Sequence, residues 1–210
     1  MSQVSENDIH EIVVRVVRQT LGASASAGGA LSGRLTDKPT TPLPFAEKPE
    51  TQPSIEKRVV AIGTDHGGVE LKKVLIQEIS HMGFKIMDCG TNTSDPVDYP
   101  DIALAVAQQV AQGAAWRGVV IDGAGIGSCM AANKVPGVRA ALCYDYATAV
   151  NSREHNDANV LTLGAGLIGV NLAKQVLKTW LTTEFGGGRH VRRVDKIMEI
   201  EKKYLGGKTA

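Results

Sequence analysis

A chain of 210 residues, 43% hydrophobic and 21% charged, is enough for one ordinary domain and an appendage. Its net charge of +1 gives no general attraction to nucleic acid. No apolar run approaches the roughly 20 residues that span a bilayer, so no membrane segment is expected.

Residues 5–22 place Ile9, Ile12, Val13, Val16 and Val17 at helical spacing, with Glu11, Arg15, Arg18 and Gln19 mostly opposite. Ser5 and Asp8 resemble a capping pair and Gly22 is a natural stop. Residues 1–22 are therefore expected to carry an amphipathic helix. Residues 23–57, rich in Ala, Ser, Gly, Thr and Pro, read as a flexible linker that stiffens toward its Pro-rich end.

From residue 58 the pattern changes. Short apolar runs at 58–64, 84–90, 117–122, 138–144 and 159–164 end in Gly, Asp, Thr or Tyr, as strands buried on both faces do. Helical patterns lie between them at 69–82, 101–112, just after Gly127, 146–154 and 169–183, with a last one from about 190 to 204. This alternation predicts a doubly wound α/β sheet of about five strands. Ligands of such sheets bind beyond the carboxyl ends of the strands.

After the first run, Asp65 and His66 sit among glycines. They suit phosphate binding or acid–base work, and equally a helix cap beside an exposed imidazole. After the second, Tyr99 offers a hydroxyl, while Asp98 or Asp101 starts a helix. After the third comes VVIDGAGIGSCM, residues 119–130. Gly123, Gly125 and Gly127 permit close backbone approach, and the next helix offers free N–H groups. A dinucleotide fingerprint would read GxGxxG and follow the first strand; Asp145 stands where its ribose-binding acid would be. The helix that fits before residues 133–137 is too short for that unit, so a phosphate cradle is expected and no nucleotide cofactor.

Farther on, His155 precedes Asn156 and Asp157, which are placed to orient its ring; a helix end would explain the histidine as well. Arg189, His190, Arg192 and Arg193 cluster at a glycine-rich turn, as a phosphate clamp or a solvated basic face. No metal-ligand pattern appears. Cys89, Cys129 and Cys143 form no CxxC pair and look structural, and a reducing, cytoplasmic setting is the default.

Taken together, VVAIGTDHGGVELK, DYPD, DGAGIGSCMAANKVPGVRAAL, SREHNDANVLTLG and GGRHVRRV resemble the ribose-5-phosphate isomerase type B and galactose-6-phosphate isomerase family, in order over residues 58–205. That resemblance implies a Rossmann-like three-layer α/β/α sandwich with a five-stranded parallel sheet and no cofactor or metal. It implies a homodimer or tetramer whose site uses both subunits, and aldose–ketose isomerisation of a phosphorylated sugar through ring opening and an enediolate. By matching position, His155 would assist ring opening with Asn156 beside it. Asp65 and Tyr99 would contact sugar hydroxyls, and His66, Arg189 and Arg193 the phosphate. The amides of Gly123, Ala124, Gly125 and Gly127 would hold the enediolate oxygen, with Asn133 adjacent.

Two positions depart from the pattern. Many relatives have Cys-Gly-Thr-Gly where this chain has Asp122-Gly123-Ala124-Gly125, and that cysteine is their base. Another branch places a Glu base where this chain has Ser128. Asp122 is then expected to replace the thiolate. Model aspartate and cysteine differ by about 4.6 pKa units, roughly 6 kcal/mol of basicity, of which desolvation in a closed site can recover several units. The pattern around Asp122 also resembles a galactose-6-phosphate isomerase subunit that works with a cysteine-bearing partner. The alternatives are therefore a partner-dependent or non-catalytic subunit, or an isomerase of a hexose 6-phosphate. Helix, linker and enzyme in that order resemble cargo of bacterial microcompartments, so residues 5–21 are expected to bind shell proteins and take the chain into the compartment lumen. Residues 206–210 form a short tail.

Overall fold

The computed structural model describes Ser54 and residues 57–205. The N-terminal helix and nearly all of the linker expected ahead of the domain lie outside the described residues, as does the tail at 206–210.

Five strands, β1 (Val59–Thr64), β2 (Lys85–Asp88), β3 (Arg117–Asp122), β4 (Ala140–Leu142) and β5 (Val160–Gly164), form one sheet in the order β2-β1-β3-β5-β4. Every neighbouring pair is parallel, with Val119 opposite Ile62 and Leu161. Six helices connect and flank them: α1 (Val69–His81), α2 (Tyr99–Ala111), α3 (Ile126–Ala132), α4 (Tyr146–Glu154), α5 (Val170–Thr182) and α6 (Val191–Leu205). The expected Rossmann-like α/β architecture is thus present, and each predicted run became an element: β3 and α4 keep their predicted bounds, α2 starts earlier, at Tyr99, and the others differ by one to a few residues at their ends.

The packing follows from the side-chain alternation of strands. Val60, Ile62, Val119, Ile121, Leu161 and Leu163 join one core with Leu71, Leu75 and Ile79 of α1 and Val176, Leu177 and Trp180 of α5. Ala61, Val120 and Val160 join the other with Ala103, Val106, Ala107 and Val110 of α2 and Ala132 of α3. Each fully buried aliphatic side chain contributes about 1.5–3 kcal/mol relative to exposure. β3, buried along its whole length, lies at the centre of the sheet. Its carboxyl end is held from both sides, Ile121 against Thr64 of β1 and Asp122 against Gly164 of β5.

α4 starts on a capping box. Asp145 accepts from the Thr148 N–H at 2.7 Å, and the Thr148 hydroxyl accepts from the Asp145 N–H at 3.2 Å. The Thr148 amide first, then the Thr148 hydroxyl donating to Oδ1 at 2.9 Å, hold the Asp145 carboxyl below the usual range. The acid spaced like a ribose ligand is therefore spent on starting a helix.

Candidate active site

Two polar clusters form from the expected residues. The first sits at the carboxyl ends of β1 and β3. The Asp65 N–H donates to the Ile121 carbonyl at 3.3 Å, so Asp65 is held beside the last residues of β3. Its carboxylate is nearly buried, and Oδ1 accepts from the Gly67 N–H at 2.9 Å. This caps the one-turn 3-10 segment His66–Gly68. His66 is exposed, and its Nδ1 accepts from the Val97 N–H at 3.4 Å. Tyr99 opens α2 with its side chain partly exposed and its ring laid over Gly127. A Cβ on Gly127 would stand 2.5 Å from that ring, which is why a side chain is excluded there.

The loop Gly123–Gly125 turns between β3 and α3 with Gly125 at φ +76°. Asp122 governs it. Its Oδ1 accepts from the amides of Ala124 (2.8 Å) and Gly125, and its Oδ2 accepts from the Ser128 amide at 3.0 Å. The carboxylate is only 4% exposed. The group expected to be the base thus faces inward, onto its own loop and the first turn of α3. Of the amides expected to meet a substrate oxygen, those of Ala124 and Gly125 are already donated to it. The Tyr144 hydroxyl closes the loop from the far side by donating to the Ala124 carbonyl at 2.7 Å.

Asn133, expected beside the substrate, ends α3 and pairs with the edge of the sheet. Its Nδ2 donates to the Ala140 carbonyl at 3.0 Å and its Oδ1 accepts from the Ala140 N–H at 2.9 Å. Both ends of the amide are committed, and β4 is covered as a further strand would cover it. Cys129 lies on the same side. Its thiol donates to the Ala140 carbonyl at 3.5 Å, and burial pushes its pKa up.

The second cluster lies at the carboxyl end of α4 and the glycine turn before α6. The rings of His155 and His190 are stacked, 4.2 Å apart and 7° from parallel. His155 is partly exposed, and its Nδ1 pairs with Asn151 Nδ2 at 2.8 Å. Asn156 donates to the carbonyl and side-chain oxygen of Asn151. Asn151 therefore orients the ring directly, and Asn156 braces Asn151. Asp157, also expected to orient it, is instead held by Arg139 and Arg153, both at 2.9 Å. His190 is buried with no partner for Nδ1. Burial first, then the charges of His155, Arg189 and Arg193, keep its imidazole below the usual range. Arg189 and Arg193 are exposed. Among the described residues, no side-chain hydrogen bond or ion pair joins the two clusters.

The sequence reading missed Tyr144 and Asn151. It also missed Lys72, whose buried ammonium holds Asp88 (2.7 Å), the Gly90 carbonyl (3.2 Å) and Asn92 (2.8 Å), and so fixes the start of the loop leading to Val97 and Tyr99. The helical spacing of Lys72 with Val69, Leu75 and Ile79, on the buried face of α1, was the available signal. No group of three or more His, Cys, Asp or Glu among the described residues is arranged to hold a metal. No helix among them is long and apolar enough to cross a membrane.

Residues 60–197 match the family described as Ribose/Galactose Isomerase. The chain belongs to that family. It is 41% identical over 144 residues to ribose-5-phosphate isomerase B of Escherichia coli, covering 69% of this chain and 97% of the relative. It is 39% identical over 139 residues to D-erythrulose-4-phosphate isomerase of Pectobacterium atrosepticum, covering 66% and 91%. The solved Clostridium thermocellum ribose-5-phosphate isomerase B superposes with a TM-score of 0.68 at 51% identity, over 70% of this chain and 99% of that one. The protein is a sugar-phosphate isomerase of the type B fold. The first cluster offers a carboxylate, a phenol and backbone amides, groups that can move a proton or hold an oxyanion. The second supplies an imidazole able to move a proton and guanidinium groups suited to a phosphate.

Proposed function

We propose that the isomerase interconverts ribose 5-phosphate and ribulose 5-phosphate. The observation that carries this reading is the pair of polar clusters in this fold: Asp65, His66 and Tyr99 beyond the strand ends, and His155, Arg189 and Arg193 at the end of α4 and the glycine turn. In this reading His155, oriented by Asn151, moves the proton that opens the furanose ring, with Asn156 behind it. Tyr99 and Asp65 meet the sugar hydroxyls, His66 and the two arginines meet the phosphate, and the amides of Gly123 and Gly127 face the enediolate oxygen.

The separation of the two clusters within one chain supports a homodimer or tetramer, in which each site takes one cluster from each subunit. The helical pattern of residues 5–21 supports a signal that binds microcompartment shell proteins, with the enzyme in the compartment lumen; deleting residues 1–21 should abolish co-assembly with shell proteins.

Ketose formation from ribose 5-phosphate by the purified chain is the expected result. No turnover of any tetrose, pentose or hexose phosphate would overturn the reading. One observation favours a second reading. Asp122 stands at the position of the family's cysteine and is locked onto its own loop. A copy that binds sugar phosphates and turns over only beside a cysteine-bearing relative would show activity on mixing and none alone. An erythrulose 4-phosphate or a hexose 6-phosphate replaces ribose 5-phosphate as substrate if it gives the higher kcat/KM.

A further inference from the structure

Two aspartates end adjacent strands, and the structure treats them in opposite ways. A carboxylate offers about four lone-pair positions. Asp122 has three filled by amides of its own loop, with at least one on each oxygen, and is 4% exposed. Its remaining lone pair, on Oδ2, is buried with the residue, so reaching a sugar carbon would draw the carboxylate away from Ala124, Gly125 and Ser128 and leave their amides without an acceptor. Asp65, just after β1, accepts a single N–H, from Gly67 onto Oδ1. Its Oδ2 has no partner among the described residues. Its backbone is tied to Ile121, the residue before Asp122, so the free oxygen belongs to the same end of the sheet as the glycine loop. The other nucleophilic group nearby, the Cys129 thiol, is turned toward the β4 edge at the Ala140 carbonyl.

We propose that Asp122 is a positioning residue that fixes the glycine loop, and that Asp65 is the base that carries the proton between C1 and C2. The proposal rests on the isomerase reading above. Asp65 Oδ2 takes the hydrogen of C2 as a proton. The electron pair of the broken C–H bond becomes the C1=C2 bond of the enediolate, and the carbonyl pair moves onto O1. The proton then returns from Asp65 to C1. The electrons of the C1=C2 bond form this new C–H bond, O2 becomes the carbonyl oxygen, and its proton passes to O1. No oxidant, reductant or metal enters the balance. Asp122 holds the loop so that O1 meets backbone N–H groups.

The test compares kcat against pH for the wild type, Asp65→Asn and Asp122→Asn with ribose 5-phosphate. Asp65→Asn should lower kcat by more than about 10³-fold, within the range of a lost general base, with KM changed little. Asp122→Asn should lose about 10–100-fold through a displaced loop, while the acid limb of kcat stays where the wild type has it. Loss of that limb in a folded Asp122→Asn, or an Asp65→Asn that keeps kcat within about 10-fold, overturns the proposal. If the asparagine variant does not fold, Asp122→Ser keeps a short acceptor for the amides and lacks a carboxylate; a retained acid limb there supports the assignment and a lost one overturns it.

A binding readout separates this from failure of the isomerase reading. In wild type with a phosphorylated hydroxamate that mimics the enediolate, hydrogen exchange at the amides of Ala124, Gly125 and Ser128 should stay as slow as in the free protein. Exposure of those amides on binding would show Asp122 released toward the ligand, and would overturn the assignment whether or not sugar phosphates are turned over.

Discussion

The strand-end cluster and the helix-end cluster are built by opposite means. At the strand ends the backbone does most of the work: β3 is pinned between β1 and β5, and Asp122 gathers the amides that follow it. The Asp122 carboxylate and the amides there satisfy one another, while Asp65 Oδ2 stays open. At the end of α4 side chains do the work: one imidazole rests on another, one asparagine steers the ring, and two arginines reach outward. The glycine loop is hydrogen-bonded onto Asp122 before any ligand arrives. The second cluster leaves its charges to be satisfied by something else, a phosphate in the proposed function. Damage to the glycine loop should therefore appear mainly in stability, and damage to the second cluster in kinetics.

Beside the loss expected at Asp65, the largest effect is on the second cluster. His155→Ala should lower kcat/KM from the ring-closed aldose by about 10²–10⁴-fold, the scale of a lost acid–base catalyst. Erythrose 4-phosphate cannot close a furanose ring, because its C4 oxygen carries the phosphate. Measured with that open-chain aldose, the same variant should lose much less. Equal losses with both aldoses would place His155 in the proton transfer itself and break the division between the clusters.

Next comes the rigid loop. Gly125 has φ +76°, and a Cβ there would stand 2.5 Å from the Leu142 side chain and 2.8 Å from the Leu163 backbone carbon. Gly125→Ala should cost about 2–3 kcal/mol, combining left-handed strain with a clash. Denaturant unfolding measures this. A variant as stable as wild type would show that the loop is not held as tightly as its hydrogen bonds imply. By contrast, Arg189→Ala and Arg193→Ala should each raise KM by about 10-fold, through one lost charge-assisted bond, with little change in unfolding midpoint.

The same contrast explains what could be read from sequence. The five strands and six helices were legible because apolar runs and helical periodicity are local signals, and burial on both faces reinforces them. The residues that make up the polar set were legible too, because strand ends and helix ends are where this architecture puts chemistry. Hydrogen-bond direction was not. Asp122 and Asp65 both read as an acid after a strand. Only the path of the backbone decides that one meets three amides and the other meets one. Asn133 read as a neighbour of the glycine loop, and its pairing with Ala140 depends on where β4 returns. Asn156 and Asp157 follow His155 in sequence, yet Asn151, one helical turn earlier, faces it.

The smallest expected effect concerns the stacked histidines. His190 is buried against His155, with Arg189 and Arg193 adding positive charge and Glu154 opposing it, and the net result is a folded-state pKa below the ordinary value. The unfolded chain therefore binds a proton at this ring more readily than the folded one. By linkage, stability rises with pH wherever the unfolded state holds more protons. The contribution is fully present above an ordinary histidine pKa of about 6.5 and is lost as pH falls through the lower folded value. His190→Phe keeps a ring in the stack and removes the titration. Between pH 7.5 and 5, its thermal midpoint should fall less than that of the wild type. If both fall equally, the acid sensitivity belongs to other groups, and the stack serves only to position His155.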